Sequence, residues 1–287
     1  MTAIITWNIQ AGRGVDNAVD LKRIVRVLHQ LGDADVLCLQ EVARFVPELD
    51  HGAGTDQVAA LAELFPGLAV FFGAAIDRLD THSGRRQAFG NLIMTRLPAL
   101  QVFHHPLPQP ADPTVKHMPR QAAEIVAATP AGPLRIITTH LEFNSPLQRD
   151  AQIEHLRTLH AEANANTRRP PLAGGAGIYA ALPRPASLIL CGDFNCIALD
   201  YQHQRLTAPF DDPIKTPRLC DAWSLAHPGQ PHAPTCGLFD KNQWPQGPHC
   251  RDFFLVSEDL SSRVLMVTVD KETNASDHQP LCLWLAD

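Results

Sequence analysis

Several apolar stretches of the sequence end on a polar residue of a type that binds metal ions or transfers protons. In chain order these residues are Asn8, Glu41, His140 and, after a glycine, Asp193 and Asn195. If neighbouring strands bring these ends to one edge of a sheet, they form a cluster of carboxylate, amide and imidazole groups. Such oxygen-rich sets suit a hard cation such as Mg²⁺, which prefers carboxylates, carbonyls and water.

Two further acidic residues accompany a histidine in the C-terminal part of the chain. Asp277 directly precedes His278, and Asp252 opens another apolar stretch. An aspartate that accepts a hydrogen bond from one imidazole nitrogen leaves the other nitrogen to act on water or on a phosphate oxygen. Each residue alone has an ordinary explanation, since a strand-terminal Asp or Asn is usually a turn former. Their occurrence together and in order favours a catalytic site.

The elements that position these residues are mostly strands. Alternating or β-branched stretches bounded by Gly, Pro or Asp predict strands over residues 3–7, 36–40, 68–72, 92–95, 124–128, 134–139, 187–191, 252–256, 262–269 and 281–285. Helical periodicity predicts helices over residues 21–31, 56–64 and 146–163. A few helices among many strands indicate two packed sheets flanked by helices.

No shift in composition divides the chain, so we expect one domain over residues 1–287. The Pro- and Gly-rich segment 163–185 is expected to be a flexible loop that the chemistry does not need. The loops expected to contact the substrate are residues 74–89, 102–119, 196–219 and 228–250.

Composition excludes some classes of protein. The net charge of −6 argues against a protein that coats duplex nucleic acid by bulk electrostatics. No run of 18 apolar residues occurs, so we expect no membrane span. The seven cysteines have no CxxC spacing, and the first residues lack a signal-peptide pattern. We therefore expect a monomer in the reducing cytoplasm.

The ordered motifs resemble those of the endonuclease/exonuclease/phosphatase superfamily, which contains nucleases, phosphatases and sphingomyelinases. The resemblance runs from residue 4 to residue 281, and it depends on Thr6-Trp7-Asn8-Ile9-Gln10, Leu39-Gln40-Glu41-Val42, Gly90-Asn91-Leu92-Ile93-Met94-Thr95-Arg96, Thr139-His140-Leu141, Gly192-Asp193-Phe194-Asn195, Arg251-Asp252-Phe253-Phe254-Leu255-Val256-Ser257 and Ser276-Asp277-His278. It implies an α/β fold, the four-layer, two-sheet β-sandwich flanked by helices that is called DNase I-like.

The resemblance also implies a role for each matching residue. Glu41 resembles the principal ligand of Mg²⁺ (or Mn²⁺), assisted by Asn8 and Asp277. Asp193 resembles the residue that aligns or deprotonates the attacking water, and Asn195 the residue that hydrogen-bonds the phosphate or that water.

The remaining matches concern the phosphate group. His278 resembles the histidine that contacts the scissile phosphate, oriented by Asp252, and His140 one that lies near the leaving group. Arg120 and Asn91 match positions that bind substrate. One departure is visible, because Arg251 stands before Asp252 where relatives usually have Ile or Leu.

The resemblance implies metal-assisted, in-line hydrolysis of a phosphodiester or phosphomonoester by water. Two alternatives stay open: a nuclease acting on DNA or RNA, and a catalytically silent binding protein of the same fold. The few arginines near the expected site, Arg78, Arg85, Arg86 and Arg120, are interspersed with aspartates. We therefore expect weak duplex binding and a preference for small or membrane-presented phosphate esters.

Overall fold

The computed structural model describes residues 1–172 and 174–287, which form two mixed six-stranded sheets. Along the chain the strands are β1 (Thr2–Asn8), β2 (Val36–Arg44), β3 (Ala69–Leu79), β4 (Arg86–Thr95), β5 (Ala99–Pro106), β6 (Gln121–Thr129), β7 (Gly132–His140), β8 (Leu188–Asp193), β9 (Leu219–Asp221), β10 (Asp252–Ser257), β11 (Val264–Val269) and β12 (Leu281–Leu285). The order is β11-β12-β1-β2-β4-β3 in the first sheet and β5-β6-β7-β8-β10-β9 in the second.

Helices flank the two sheets. They are α1 (Leu21–Gln30), α2 (Gln57–Leu64), α3 (Pro146–Arg168), α4 (Tyr201–Thr207) and α5 (Ala222–Ala226). The first sheet packs against α1 and α2, and the second against α3, which confirms the predicted four-layer sandwich. Within the described part of the chain, no helix has both the length and the apolar character needed to cross a membrane.

The central strands are apolar on both faces because each one contributes to two cores. On β8, Ile189 and Cys191 pack between the sheets, whereas Leu188 and Leu190 pack under the outer helices. Successive side chains of a strand point to opposite faces, so a strand covered on both sides must be apolar throughout. This is why the sequence shows continuous apolar stretches that end abruptly on polar residues.

The register brings those polar ends to one edge of the sandwich. Parallel pairing of β1 with β2 sets Asn8 opposite Gln40, and parallel pairing of β7 with β8 sets His140 opposite Asp193. Antiparallel pairing of β10 with β8 sets Asp252 opposite Asp193. The carboxyl ends of β1, β2, β7 and β8 therefore share an edge with the start of β10.

Some expectations about the elements were wrong. The apolar stretch before Glu41 ends there, but β2 continues to Arg44 through a bulge in its pairing with β4. Residues 74–89 mostly belong to the β3–β4 hairpin, and the predicted loop 102–119 begins within β5. The predicted loop 163–185 begins inside α3, which extends to Arg168, and Ala173 in that loop lies outside the described residues.

Four elements were not predicted at all. The edge strand β5 carries exposed residues and two histidines, and β9 has only three residues. Helices α4 and α5 have seven and five residues, so their hydrophobic periodicity is too short to detect.

Candidate active site

The shared edge of the two sheets surrounds a cavity of about 310 Å³. Its lining contains most of the residues that the sequence motifs predicted, together with several aromatic ones: Glu41, Phe89, Met118, Arg120, His140, Phe143, Asn144, Asp193, Asn195, Gln243, Trp244, Asp277 and His278. Asn8 and Asp252 lie buried directly behind this lining and contact it through hydrogen bonds.

Glu41 reaches the cavity because the backbone of β2 is distorted at that point. Its φ of 58° lies in the left-handed region, within the bulge that interrupts pairing between Leu39 and Val42. A bulge redirects one side chain at the cost of backbone strain. The Glu41 carboxylate accepts a hydrogen bond from Asn8 Nδ2 at 3.1 Å, and His140 Nδ1 lies 3.8 Å from it.

Asp193 occupies the centre of the cluster. Its Oδ2 lies 3.1 Å from Asn8 Nδ2 and 3.3 Å from His140 Nε2, and its Oδ1 accepts the Asn195 N–H at 2.9 Å. The preceding Gly192 has φ +130°, and a Cβ there would lie 2.0 Å from the Thr139 carbonyl oxygen. Only glycine therefore lets β8 approach β7 closely enough to place Asp193 beside His140.

His278 is held by hydrogen bonds to its ring and to its backbone. Its Nδ1 donates to Asp252 Oδ2 at 2.8 Å, and that oxygen also accepts the Thr235 hydroxyl at 2.6 Å. Trp7 Nε1 donates to the His278 carbonyl at 2.9 Å, which links the segment between β11 and β12 to β1. The free Nε2 points toward Asp193 Oδ2, 3.7 Å away.

The two histidines of the cavity differ in charge: one is cationic and the other is neutral. Burial opposes protonation of His278, but Asp252, Asp277 and Asp193 outweigh it and raise its pKa well above the ordinary value. Burial, reinforced by the charge of Arg120, lowers the pKa of His140 to about 3. At neutral pH His278 is therefore an imidazolium, and His140 is a neutral group that can donate one hydrogen bond.

The carboxylates of the site repel one another. Burial and, next, the charge of Asp277 raise the pKa of Glu41 to about 7. Burial also raises the pKa of Asp277. Four acidic side chains thus converge here, and the single imidazolium of His278 offsets only part of their charge. A set of hard oxygen donors with excess negative charge fits a divalent cation such as Mg²⁺ or Mn²⁺.

The predicted phosphate-binding arginine has one guanidinium nitrogen bonded to a carboxylate and another without a hydrogen-bond partner among the described residues. Arg120 is buried, and its Nε donates to Glu142 Oε2 at 3.1 Å. Its Nη1 has no hydrogen-bond partner among residues 1–172 and 174–287. A buried guanidinium nitrogen without a partner beside this cavity is available to an anionic ligand.

Two predicted residues have contacts that differ from their expected roles. Asn91 does not line the cavity, and its Nδ2 donates to the Gln121 carbonyl at 2.7 Å, which links β4 to β6. Asn8 presents its amide nitrogen to the carboxylates, while its Oδ1 accepts the Gln10 N–H at 3.1 Å. Substrate binding by Asn91 and metal ligation by Asn8 stay predictions.

Sequence reasoning missed the residues that form the aromatic wall of the cavity. Trp244 Nε1 donates to Asp277 Oδ2 at 3.1 Å, and the Arg251 guanidinium carbon lies 4.9 Å from the Trp244 ring centroid and 5.5 Å from that of Phe143. Trp244 and Phe143 lie in irregular segments, where no periodicity marks a residue as facing a site. The available signals were the unusual Arg251 before Asp252 and the loop 228–250, which was expected to contact the substrate and contains Trp244.

Comparison with known proteins places this geometry in a family. The model described as "Endonuclease/Exonuclease/phosphatase family" matches residues 5–278. No curated protein gives a significant sequence match.

Solved structures show the same fold. An endonuclease/exonuclease/phosphatase from Beutenbergia cavernae is 22% identical, with a TM-score of 0.65 over 99% of this chain and 72% of its own. A Bacteroides thetaiotaomicron mannosyl-6-phosphatase is 16% identical, with a TM-score of 0.69 over 100% of both chains. A truncated TDP2 from Caenorhabditis elegans is 18% identical, with a TM-score of 0.63 over 99% of this chain and 97% of its own. At such identities the likeness is one of fold.

Proposed function

The chain belongs to the endonuclease/exonuclease/phosphatase family, and from that premise we propose that it is a Mg²⁺- or Mn²⁺-dependent hydrolase of small phosphate esters. Members of this family are generally hydrolases of phosphate esters and are typically dependent on divalent metal ions. The observation that carries the proposal is the convergence of Asp193, the Asp252–His278 pair and the Glu41–Asp277 pair around one small cavity.

We assign the cation to Glu41 and Asp277, with Asn8 beside them. His278 is a poor candidate for a ligand, because as an imidazolium it carries a proton on both ring nitrogens, and its Nδ1 donates to Asp252. A divalent cation, when bound, supplies positive charge that offsets the negative charge growing on the phosphate oxygens. Oxygen ligands on a carboxylate-rich wall support Mg²⁺ or Mn²⁺ over Zn²⁺.

We assign the activation of water to Asp193. Its carboxylate is fixed by the Asn195 N–H and by Asn8, so its orientation is set before substrate arrives. Although burial alone would raise it, the facing His140 and His278 and the Asn195 N–H lower the pKa of Asp193 below its ordinary value. An ionised, oriented carboxylate can align a water molecule and accept its proton.

Positively charged and polar groups of the cavity can bind the phosphate. The Nε2–H of His278 and the free Nη1 of Arg120 are donors for phosphate oxygens, and charge-assisted hydrogen bonds of this kind are among the strong ones. Neutral His140 lies next to both Glu41 and Asp193, and we assign it to hydrogen-bonding the leaving group. The Nδ2 of Asn195 donates to the Leu141 carbonyl, and we assign this residue to orienting Asp193 and the water.

A small substrate is supported by the size of the cavity and by the state of the nearby arginines. A volume of about 310 Å³ lies at the lower end of ligand pockets. Arg86 donates to Asp77 at 2.8 Å, and Arg78 lies 3.4 Å from Glu48. These pairings reduce the positive charge available to a polymeric phosphate backbone.

The test is a hydrolysis screen of the purified protein. The substrates are a small phosphodiester, a small phosphomonoester, sphingomyelin in vesicles, a single-stranded oligonucleotide and a 20-base-pair duplex, each in Mg²⁺, in Mn²⁺ and in EDTA. We expect metal-dependent turnover that is fastest on a small or membrane-presented ester and absent in EDTA. Faster turnover of the duplex would refute the substrate assignment, and undiminished activity in EDTA would refute the metal assignment.

Two variants make this test specific to the site. Asp193→Asn should lower kcat by about two or more orders of magnitude, the usual scale for a lost acid–base group. Asp211→Asn, an exposed aspartate outside the cavity, is the matched control and should retain full activity. If the wild type hydrolyses none of the substrates with either metal, the proposed activity on these classes of ester is refuted, and a silent binding protein of this fold becomes the favoured alternative.

A further inference from the structure

A second cluster of metal-binding side chains lies outside the active-site cavity. It consists of His203 on α4, Asp221 at the junction of β9 and α5, and His232 in the segment after α5, and we call it the His203 cluster. One ligand atom from each residue lies within 4.8 Å of the others. None of the three lines the active-site cavity.

The orientation of Asp221 is fixed by the helix that it caps. Its Oδ1 accepts the backbone N–H groups of Trp223 and Ser224 at 2.8 and 3.2 Å, which satisfies the first turn of α5. The other oxygen, Oδ2, faces both imidazoles, with His203 Nε2 at 2.8 Å and His232 Nε2 at 2.7 Å. Two ring nitrogens and one carboxylate oxygen therefore converge from three separate segments of the chain.

The surroundings of the cluster are aromatic and largely buried. His203 and Asp221 are both buried, and the His203 ring centroid lies 4.8 Å from that of Phe253. The ring of His232 lies 5.3 Å from Phe253 and 6.0 Å from Trp223. His232 is only partly buried, so the cluster is not wholly shielded from solvent.

We propose that the His203 cluster binds a transition-metal cation, with Zn²⁺ the best match. Two imidazoles and one carboxylate, with a water molecule in the fourth position, form an established tetrahedral ligand set for Zn²⁺. Bonds of about 2.0–2.1 Å to Zn²⁺ separate tetrahedral ligand atoms by roughly 3.3 Å. The observed separations of 2.7 and 2.8 Å would therefore widen by about half an ångström on binding.

The two sites of the protein differ in their choice of metal. Imidazole nitrogens favour Zn²⁺ over Mg²⁺, whereas the oxygen donors of Glu41 and Asp277 favour the hard cations. An ion at the His203 cluster would tie α4, the β9–α5 junction and the segment around His232 together. It would thus stabilise the fold without taking part in hydrolysis.

Calorimetric titration of untagged, EDTA-treated protein with Zn²⁺, in millimolar Mg²⁺ to occupy the oxygen site, tests this proposal. We expect one equivalent of Zn²⁺ to bind the wild type with micromolar or tighter affinity and to raise its Tm. Cobalt(II) in the same site should give the visible absorption typical of a tetrahedral complex.

Single variants decide the assignment. His203→Gln and His232→Gln should each weaken Zn²⁺ binding at least about tenfold, and measuring both leaves a decisive variant if one fails to fold. His227→Gln is the matched control, because the His227 ring centroid lies 4.1 Å from that of Trp223 but its Nε2 bonds the Val267 carbonyl. Glu41→Gln alters the oxygen site and should bind Zn²⁺ as the wild type does. The proposal is overturned if the wild type binds no stoichiometric Zn²⁺, or if every folded cluster variant binds it unchanged.

Discussion

Replacing Glu41 by glutamine should make the metal-free protein more stable while weakening its response to Mg²⁺. In the absence of a cation, ionisation of Glu41 places a further negative charge among other carboxylates. Burial and the charge of Asp277 raise its pKa from 4.5 to about 7. Glutamine has nearly the same shape, and its carbonyl oxygen can still accept the hydrogen bond from Asn8 Nδ2.

The magnitude follows from the difference between the two pKa values. An acid whose pKa is higher in the folded state favours folding while protonated, and this advantage is lost as the pH rises from 4.5 through about 7. The full difference corresponds to roughly 3 kcal/mol above pH 7. About a quarter of the Glu41 side chain is accessible (26%), so solvent screens part of this cost. We expect a gain of about 1–2 kcal/mol for Glu41→Gln at pH 8 in EDTA.

The measurement is urea unfolding of both proteins at pH 5 and pH 8, with EDTA and with Mg²⁺. The variant should be the more stable protein at pH 8 in EDTA, and the difference should shrink toward pH 5. Addition of Mg²⁺ should stabilise the wild type more than the variant, since a ligand that binds the native state stabilises it. A variant that is less stable than the wild type at pH 8 in EDTA would refute the reasoning.

Two other predictions concern buried polar contacts. Burial lowers the pKa of His160 to about 4, so protonation of this group should cost about 3 kcal/mol of unfolding free energy as the pH falls from 6.5 toward 4. His160→Gln, which can still donate to the Pro217 carbonyl, should lose less over the same range in urea titrations, and equal losses would contradict this. Glu142→Gln removes the charge that anchors Arg120, and steady-state kinetics should show a KM about tenfold higher with a smaller change in kcat. An unchanged KM would exclude Glu142 as a positioning residue.

The arrangement of the two sheets was predictable because it depends on local patterns. An apolar stretch such as residues 187–191 can bury both faces of a strand only in the middle of a covered sheet. The polar residue at its end must then lie at the sheet edge, and parallel pairing sets His140 beside Asp193. Residue type and position therefore predict a shared edge, and the observed pairing of β7 with β8 brings these two side chains together.

The rest of the site depends on contacts that leave no local pattern. Thr235 and Trp244 are far in sequence from Asp252 and Asp277, to which they donate, and they belong to a long irregular segment. The bulge at Glu41 was hidden for another reason. It depends on the pairing of β2 with β4, and no sequence rule assigns a left-handed conformation to a glutamate.

Some of the places where local rules fail coincide with candidate catalytic groups. Glu41 and Asn195 have φ values of 58° and 51°. Gly192 lies so close to the Thr139 carbonyl that any side chain there would clash with it. Like charges are brought together at Glu41 and Asp277, and the pKa values of both carboxyl groups are raised. Strained backbone and repelling carboxylates reduce stability, and the surrounding strand register is what holds them in place. A chain selected only for stability would remove both features, so their coincidence at one cavity supports a site kept for its chemistry.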